Sequence, residues 1–372
     1  MRIIWISDTA PAGLTTDAEY FAGHRLASMR FRIGAPARAL ARLGVESAFV
    51  GLDTPAVLEH LAPGCVDAVV FSKLSTPRGP TYDAFTTAYL GTADHARAHG
   101  LAVVVDLVDN VFATERSDFF VELLARADAV TAGTEPLARI CRQHARSPVH
   151  VVADPVEGDR RPPCFAPPGA GLLRRLGLAR SAPPLRLLWF GGQYRNFLAL
   201  AALFPALGDL AAERPLDLVA VMNRDDRLTR DLEALCDRAP GRITARFAEW
   251  SPAAMAGELE RCHLVVLPAD AHDEMRAVAG ANRPARALWA GRAVVAHPLP
   301  GYDELRDAAL LDADPVGAIR WALAHPAEVA QRIGLGQRIV AARYSPEAIG
   351  RRWLEVLESV APSAPGGTAS RS

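Results

Sequence analysis

Short runs of aliphatic and β-branched residues alternate with longer Ala-, Leu- and Arg-rich segments along the first half of the chain. The runs are apolar at almost every position, as in strands buried on both faces of a sheet, and a crossover helix fits between them. The pattern predicts a doubly wound parallel sheet. The strand runs read RIIWIS, SAFVG, VDAVVFS, LAVVVDLV, ADAVTAG and VHVVADP, with helices expected around 34–44, 83–99, 115–126 and 134–145.

The alternation restarts in the second half, after a proline-punctuated stretch that cannot sit inside a sheet. The later strand runs read LRLLWFGG, LDLVAVMN, RITARFAEW, HLVVLPAD and RAVVAHPL. We therefore predict an N-terminal Rossmann-like domain and a second Rossmann-like domain, joined by a linker that contains a short helix over GLLRRLGLAR. The predicted boundaries are 1–156 for the first domain, 157–184 for the linker and 185–345 for the second domain. A C-terminal helix that crosses back to the N-terminal domain is predicted at 346–361, and a disordered tail at 362–372.

Length and composition agree with two folded domains. The chain has 372 residues, half of them apolar and 22% charged, which is the balance of a chain that buries large cores. The formal net charge of −1 excludes the strong basic bias of proteins that bind nucleic acid or an anionic bilayer. Positive charge is almost all arginine, since Lys73 is the one lysine. Coding bias explains this enrichment overall, so only arginines at informative positions bear on function.

The cysteines and the N-terminus indicate a cytoplasmic protein. Five cysteines are scattered without a CxxC pair, which is typical of reduced, mostly buried thiols. The chain passes from Met1 into a strand pattern without the long apolar stretch of a signal peptide or a membrane span. Peripheral attachment to the inner membrane remains open. HExxH, GxGxxG, GxxxxGK[ST] and GxSxG motifs are absent, so we expect neither a metal site nor a conventional NAD enzyme, P-loop NTPase or serine hydrolase.

The stretch ANRPARALWAGRAVVAHPLPGYDEL carries the most chemical information. Pro284 suits the first turn of a helix, where a missing N–H costs nothing, so Asn282 and Arg283 should lie at the helix N-terminus. Backbone N–H groups and the helix dipole attract anions there, and the guanidinium of Arg283 adds a charged fork. The pattern predicts a diphosphate site, although an ordinary surface helix has the same local sequence.

The run ARALWAGRAVVAHPLPGY resembles the "EALAxGxPVVA" region of GT-B glycosyltransferases, in particular family 4 and its bacterial relatives. The likeness extends to GGQYRN, HLVVLPAD, the connector after VVADPVE and the last helices, and it covers roughly residues 150–360. The resemblance implies two Rossmann-like domains facing a cleft, with the nucleotide-sugar donor in the second. It also implies an acceptor of unknown kind, namely a glycan, a lipid-linked molecule, a small molecule or a protein, and no cofactor.

One departure from that family concerns two glutamates. Family 4 enzymes usually carry two glutamates eight positions apart, the second of which opens the "EALAxG" helix and binds the donor sugar or ribose. Here the corresponding residues are Val278 and Arg286. His272, Asp273 or Glu274 in the preceding loop could supply a hydroxyl acceptor instead, and Glu274 is our candidate. A protein that keeps the fold without chemistry stays open as an alternative.

Other donor contacts are expected where strands of the second half end. Gly191 and Gly192 would let the backbone approach a ligand, and Arg195 could neutralise a departing diphosphate. Asn223 and Arg224 end the next strand. Trp250 follows RITARFAE and could wall a base pocket, although a lone tryptophan is more often core.

The first half offers a carboxylate and two arginines. Asp109 follows a buried strand in DLVDN, close to Asp106, and could accept the proton of an acceptor hydroxyl if the reaction inverts configuration. A helix-cap or turn aspartate is equally consistent with this position. Arg30 and Arg32 in SMRFRIG resemble an S-x-R-x-R entry of some bacterial transferases. They could contact the donor or the acceptor, or they could face solvent.

We therefore predict a metal-independent glycosyltransferase that moves a sugar from a nucleotide diphosphate donor to a hydroxyl or amine. Fixed arginines and helix dipoles can stabilise the leaving diphosphate without a metal ion. Two alternatives remain, namely a nucleotide-sugar epimerase of the same fold and a non-catalytic binding protein.

Overall fold

The structure, a computed structural model, describes residues 1–11, 13–51, 54–62, 64–74, 81–166, 183–192, 194–238, 243–270 and 273–361. These residues form two compact units. Unit 1 contains Met1–Pro155 and the segment from Ser345 onward, and unit 2 contains Val156–Tyr344. The helix expected over GLLRRLGLAR and the expected tail at 362–372 lie outside the described residues.

Unit 1 is built on a seven-stranded sheet in its described residues, with the strand order β2-β3-β1-β4-β5-β6-β7. Neighbouring strands are parallel, except that β2 runs antiparallel to β3. Every residue of β4 and β5 is buried, as the continuous apolar runs predict. The strands are β1 Arg2–Ile6, β2 Leu14–Thr15, β3 Glu46–Val50, β4 Ala68–Ser72, β5 Ala102–Leu107, β6 Ala129–Ala132 and β7 Val149–Val151.

Helices cover this sheet in the crossover positions. They are α1 Ala18–Ala22, α2 Ala27–Met29, α3 Ala35–Ala41, α4 Thr54–His60, α5 Thr81–Ala98, α6 Ser117–Leu124 and α7 Glu135–His144, with a 3-10 turn at Val111–Ala113. A π-helical turn, Arg30–Gly34, joins α2 to α3. Gly34 is needed because a Cβ there would lie 2.5 Å from the backbone nitrogen of Ala22. The wide π turn thus packs closely on α1.

Unit 2 repeats the architecture with a six-stranded parallel sheet in its described residues, in the order β10-β9-β8-β11-β12-β13. The strands are β8 Leu185–Phe190, β9 Leu216–Met222, β10 Ile243–Glu249, β11 Leu264–Leu267, β12 Ala293–Ala296 and β13 Leu310–Leu311. The helices are α8 Tyr194–Glu213, α9 Asp226–Arg238, α10 Pro252–Arg261, α11 Glu274–Ala277, α12 Asn282–Trp289, α13 Pro315–Ala324 and α14 Pro326–Arg343, with a 3-10 turn at Pro300–Leu305.

The parallel sheets predicted for both halves are therefore present. The two-residue strands β2 and β13 were not predicted, because two residues are too short to show a periodic pattern.

The described part of the connector, residues 157–166, belongs to unit 2 rather than forming a separate linker. It runs along α12. The Trp289 indole Nε1 donates to the Gly158 carbonyl at 3.0 Å, and the Cys164 amide donates to the Gly291 carbonyl at 2.9 Å. Gly291 has φ of 74°, and a Cβ there would lie 2.2 Å from the Pro162 carbonyl oxygen. Only glycine fits this contact.

The last helix, α15 Pro346–Val360, packs on unit 1. Trp353 is fully buried against Trp5, with ring centroids 5.1 Å apart. A Cβ on Gly350 would lie 2.7 Å from the Cβ of Ala39, so the helix backbone approaches α3 closely. Chain residues from both ends thus build the core of unit 1.

Among the described residues, one stretch, Asn196–Glu213 of α8, is long and apolar enough to cross a membrane on length and composition alone. Its mean hydropathy is 1.3, and half of it is buried inside the structure. A helix in the core of a folded domain has the same properties.

Candidate functional site

The residues predicted to bind a donor lie at one edge of the unit 2 sheet. Because its strands are parallel, their carboxyl ends share an edge, which is where ligands bind in open α/β sheets. Helix α12 follows β11 and precedes β12, so its N-terminus lies at this edge too. The predicted residues there are Gly191 and Gly192 after β8, Asn223 and Arg224 after β9, Trp250 after β10, and Asn282 and Arg283 at the start of α12.

The N-terminus of α12 is the best-defined candidate for the predicted anion site. The helix begins at Asn282, with Pro284 in its first turn, and its N-cap residue Ala281 supplies no side-chain cap. Arg283 Nη2 donates to the Tyr302 hydroxyl at 3.3 Å, and Tyr302 is fully buried. Arg283 Nη1 is buried and has no hydrogen-bond partner among the described residues. A buried guanidinium N–H without a partner is costly, so this atom is suited to receive an anionic ligand.

The two glycines after β8 have different roles. A Cβ on Gly191 would lie 3.1 Å from the Trp189 ring and 3.2 Å from the Asn196 Cβ, so this glycine is explained by internal packing. Gly192 is exposed, and a Cβ there would meet no atom of the described residues within 4 Å. Arg195 lies in the first turn of α8, but its side chain is outside the described residues. A ligand could therefore approach the backbone of this loop at Gly192 rather than at Gly191.

The remaining donor candidates are accessible. Asn223 and Arg224 are exposed beyond the end of β9. Arg224 Nε lies 3.8 Å from Asp226 Oδ1 in an exposed pair, which holds the guanidinium weakly. Trp250 is half-buried, and its backbone N–H donates to the Met222 carbonyl at 2.8 Å. All three side chains are thus at least partly exposed to solvent.

The positions of the expected glutamate pair hold residues of a different kind. Val278 is 3% exposed and packs in unit 2. Arg286 Nη1 lies 3.0 Å from Glu157 Oε2, and both side chains are largely buried, at 11% and 23% exposed. The sequence analysis did not single out Glu157. The side chain of Glu274 lies outside the described residues, as does His272.

Unit 1 contains a buried ion-pair network beneath the carboxyl ends of its strands. Asp106 is 4% exposed and accepts four hydrogen bonds. Two come from Arg32, by Nε at 3.1 Å and Nη2 at 2.5 Å, one from the Ser72 hydroxyl at 2.7 Å and one from the Thr131 hydroxyl at 2.6 Å. Asp106 is therefore occupied by structural contacts. Asp109, three residues on, is exposed beyond β5.

The expectation that Arg32 contacts a ligand is wrong for this structure. Its side chain is 1% exposed, and its Nη1 also donates to the Val152 carbonyl at 2.7 Å and to Asp154 Oδ1 at 3.2 Å. One guanidinium thus binds both the end of β5 and the segment 152–154. Burial raises the pKa of Asp154, while Arg32 opposes this shift and Asp106 and Asp109 add to it.

Arg30 is also buried, whereas the sequence suggested that it contacts a ligand or faces solvent. It is 5% exposed, and its Nη1 donates to the carbonyls of His24 and Arg25 at 2.8 and 3.2 Å. Both arginines lie in the π-helical turn Arg30–Gly34, whose five residues are all buried.

Unit 1 also holds buried polar atoms that the sequence analysis missed. The Tyr89 hydroxyl, Thr86 Oγ1 and Asn110 Oδ1 are buried without a hydrogen-bond partner among the described residues. Burial, with the charge of Asp8 as a second cause, raises the pKa of Tyr89. Lys73, which follows β4, has a left-handed backbone with φ of 53°. Strained residues of this kind often accompany functional sites.

Within the described residues, no group of three or more His, Cys, Asp or Glu side chains is arranged to hold a metal ion. His95 and His99, four residues apart on α5, have ring centroids 4.0 Å apart, a pair that the sequence analysis passed over. Burial and the neighbouring His99 lower the pKa of His95. Two histidines alone do not make a metal centre.

Comparison with known proteins identifies the fold. No protein-family model matches the sequence, and no curated protein matches it. Solved structures do match. A glycosyltransferase from Rickettsia africae ESF-5 aligns with a TM-score of 0.58 and 11% identity, over 96% of this chain and 98% of its own. AviGT4, a glycosyltransferase involved in avilamycin A biosynthesis, aligns with a TM-score of 0.56 and 14% identity, over 96% and 97%.

A third match has a different activity in its name. A putative UDP-N-acetylglucosamine 2-epimerase from Listeria monocytogenes aligns with a TM-score of 0.51 and 13% identity, over 96% of both chains. The chain spans 61% and 59% of the length of two larger matched structures. At such identities the likeness concerns the fold. The protein has the two-domain, Rossmann-like GT-B fold, as predicted.

Proposed function

We propose that the protein is a metal-independent glycosyltransferase that moves a sugar from a nucleotide diphosphate-sugar to a hydroxyl or amine of an acceptor. The observation that supports this most directly is Arg283. Its buried Nη1 has no partner among the described residues, and it lies at the N-terminus of α12, on the ligand-binding edge of a GT-B domain. A diphosphate would supply the missing acceptor atoms.

The chemistry follows from charge development. When the bond between sugar and phosphate breaks, negative charge grows on the diphosphate while the sugar becomes oxocarbenium-like. Arg283 and the α12 dipole would stabilise this charge, assisted by Asn282 and, from the start of α8, by Arg195. A metal ion is then not needed, and the nucleotide-sugar is a substrate rather than a cofactor.

The remaining candidates take supporting roles. Gly192 would let the backbone approach the donor, Asn223 and Arg224 would bind polar groups of the nucleoside, and Trp250 would pack against the base. Glu274 stays a candidate for a sugar hydroxyl. Asp109, exposed beyond β5, is the candidate base for the acceptor. We place the enzyme in the cytoplasm.

The test is nucleotide release from a panel of UDP-, GDP- and TDP-sugars with candidate acceptors. Arg283→Ala should lower kcat/KM by about 10- to 100-fold, because a charge-assisted contact to the leaving group is lost. Arg320→Ala is the matched control, since it removes an arginine whose Nη2 pairs with Glu213 at 2.7 Å on the surface. Wild-type turnover by Arg283→Ala would remove Arg283 from the site.

An epimerase is the second candidate, favoured by the likeness to the Listeria protein. Such an enzyme would convert the nucleotide-sugar in the absence of any acceptor. NMR analysis of the donor after incubation distinguishes the two reactions. A protein without chemistry would be stabilised thermally by nucleotides and would leave the donor unchanged.

A further inference from the structure

The sheet of unit 1 has a ligand-binding position of its own, at the ends of the neighbouring strands β1 and β4. The chain passes from β1 to β3 on one side and later adds β4 on the other side. In open α/β sheets, ligands bind where the strand order reverses in this way. The Ser7 hydroxyl, just after β1, donates to the carbonyl of Lys73, just after β4, at 3.3 Å. The two strand ends are therefore held together at this position.

A buried tyrosine lies over these strand ends. Helix α5 follows β4 and precedes β5, so its first half lies near the carboxyl edge of the sheet. Tyr89 of α5 is fully buried, with its ring centroid 6.2 Å from that of Phe71 in β4. Phe71 pairs with Ile6 of β1, two residues before Asp8. Burial, and next the negative charge of Asp8, raises the pKa of Tyr89, so this carboxylate is close to the tyrosine hydroxyl.

Two hydroxyl groups of α5 have no hydrogen-bond partner in the described part of the chain. They are the Tyr89 hydroxyl and Thr86 Oγ1, and both atoms are buried. Because the two residues are three positions apart on the helix, their side chains emerge on the same side. A buried hydroxyl without a partner destabilises the fold. A bound molecule that pairs with both groups would remove this cost.

The chemistry of these groups favours a neutral ligand with several hydroxyls. A hydroxyl oxygen accepts the proton of Tyr89 while its own proton is donated to the Asp8 carboxylate, so one ligand group pairs with both. An ammonium group has no lone pair to accept from Tyr89, and the charge of Asp8 repels an anionic ligand. The ring of Phe85, half-buried and 4.4 Å from that of Tyr89 between centroids, supplies an apolar surface. A saccharide combines hydroxyls with apolar C–H groups and matches this arrangement.

We propose that Tyr89 and Asp8 bind a hydroxyl of the molecule that receives the sugar, and that this molecule is a saccharide. Tyr89 donates to the hydroxyl oxygen, Asp8 accepts from the same hydroxyl, and Thr86 contacts a neighbouring one. The inference rests on the proposed function, because it takes the bound saccharide as the substrate that is glycosylated. It narrows that substrate from a hydroxyl or an amine compound to a saccharide. Asp109 stays the candidate base.

NMR titration of the full chain without a nucleotide-sugar tests the site directly. The probes are the methyl glycosides of glucose, galactose and mannose, with cyclohexylamine as the amine for comparison. Wild-type protein should bind at least one glycoside more tightly than the amine. Tyr89→Phe removes one neutral hydrogen bond and should raise the Kd of that glycoside by about 3- to 10-fold. Asp8→Asn removes a bond to a charged group and should raise it by about tenfold or more.

Thermal unfolding separates binding from a structural role of the tyrosine. Tyr89→Phe deletes a hydroxyl that has no partner among the described residues, so it should unfold at the wild-type temperature or above. A structural hydroxyl would give the opposite result, a lower unfolding temperature with unchanged glycoside binding. Tyr20→Phe is the matched control, because Tyr20 lies on the surface of unit 1 with 42% of it exposed. It should keep the wild-type Kd.

The outcomes for the site and for the proposed function are distinct. Unchanged glycoside affinity in both Tyr89→Phe and Asp8→Asn would overturn the inference, as would tighter binding of cyclohexylamine or failure of every glycoside to bind. Nucleotide release from a nucleotide-sugar in those cases would leave the proposed function intact. Glycoside binding that depends on Tyr89, in a protein that turns over no nucleotide-sugar, would overturn the proposed function while the saccharide site stands.

Discussion

Replacing Arg32 with methionine tests the buried ion-pair network of unit 1. The change leaves Asp106 and Asp154 without the guanidinium that bonds to both. Asp106 would keep the hydroxyl bonds from Ser72 and Thr131 but lose two of its four hydrogen bonds. Removing one partner of a buried ion pair typically costs about 3–5 kcal/mol. For a unit of this size the transition temperature should fall by about 6–20 °C, at about 2–4 °C per kcal/mol.

The stability lost in Arg32→Met should depend on pH, and the pKa of Asp154 sets the direction of that dependence. Burial raises the folded-state pKa of Asp154 above its ordinary value. The stability that this group contributes is complete below its unfolded pKa and is lost as pH rises through its folded pKa. Arg32 opposes the shift, so its removal should increase the loss at neutral pH. The difference between wild type and Arg32→Met should therefore be smaller at pH 4.5 than at pH 7.5.

Differential scanning calorimetry of the full chain at both pH values measures these effects. Arg38→Met is the control, because Arg38 pairs with Glu19 at 3.4 Å on the surface, with 45% of its side chain exposed. Such a pair contributes about 0–1 kcal/mol. If Arg32→Met lowered the free energy of unfolding no more than the control does, or lowered it equally at both pH values, the network would not be the stabilising element that we describe.

Three further perturbations have defined outcomes. Gly291→Ala should destabilise unit 2 by about 2 kcal/mol or more in urea denaturation. The reason is that a Cβ there would lie 2.2 Å from the Pro162 carbonyl oxygen, at a residue with φ of 74°. Gly334→Ala in α14 is the control, and it should stabilise unit 2 by about 0.5–1 kcal/mol, because a Cβ there meets no atom of the described residues within 4 Å. Burial and nearby arginines lower the pKa of His263 to about 4, and its Nδ1 accepts the Arg186 amide at 2.9 Å. The stability this histidine contributes should be present above its unfolded pKa and be lost as pH falls from about 6.5 toward 4. His263→Asn should reduce this dependence of the free energy of unfolding on pH. An unchanged dependence would exclude His263 as its source. Asp109→Asn should lower kcat far more than it raises KM for the acceptor if Asp109 is the base, and unchanged kcat would assign the proton to another group.

Local sequence pattern was enough to find the main strands of both sheets. The runs at β4 and β5 are apolar at almost every position because both faces of those strands are buried. The edges at which Asn223, Trp250 and Asn282 lie follow from strand direction alone, since parallel strands end on one side. The helix start near Pro284 could also be predicted locally, because proline is favoured in the first turn of a helix.

Side-chain partners far apart in sequence could not be predicted in this way. Arg32 meets Asp106 across 74 positions, and Glu157 meets Arg286 across 129. No local pattern specifies such pairs, because they depend on how whole elements pack. Arg30 and Arg32 are a further example, because both were expected to face a ligand or solvent and both are buried.

The sequence by itself therefore determined the fold class, the order of the main strands along the chain and the edge of the second sheet at which the candidate donor residues lie. These features follow from the periodicity of apolar residues and from the direction of parallel strands. Only the tertiary structure decided which charged side chains are available to a ligand. Burial and pairing depend on neighbours that the chain brings together when it folds. Within the described part of the chain, Arg283 therefore keeps a donor atom without a partner, while Arg32 bonds to Asp106, Val152 and Asp154.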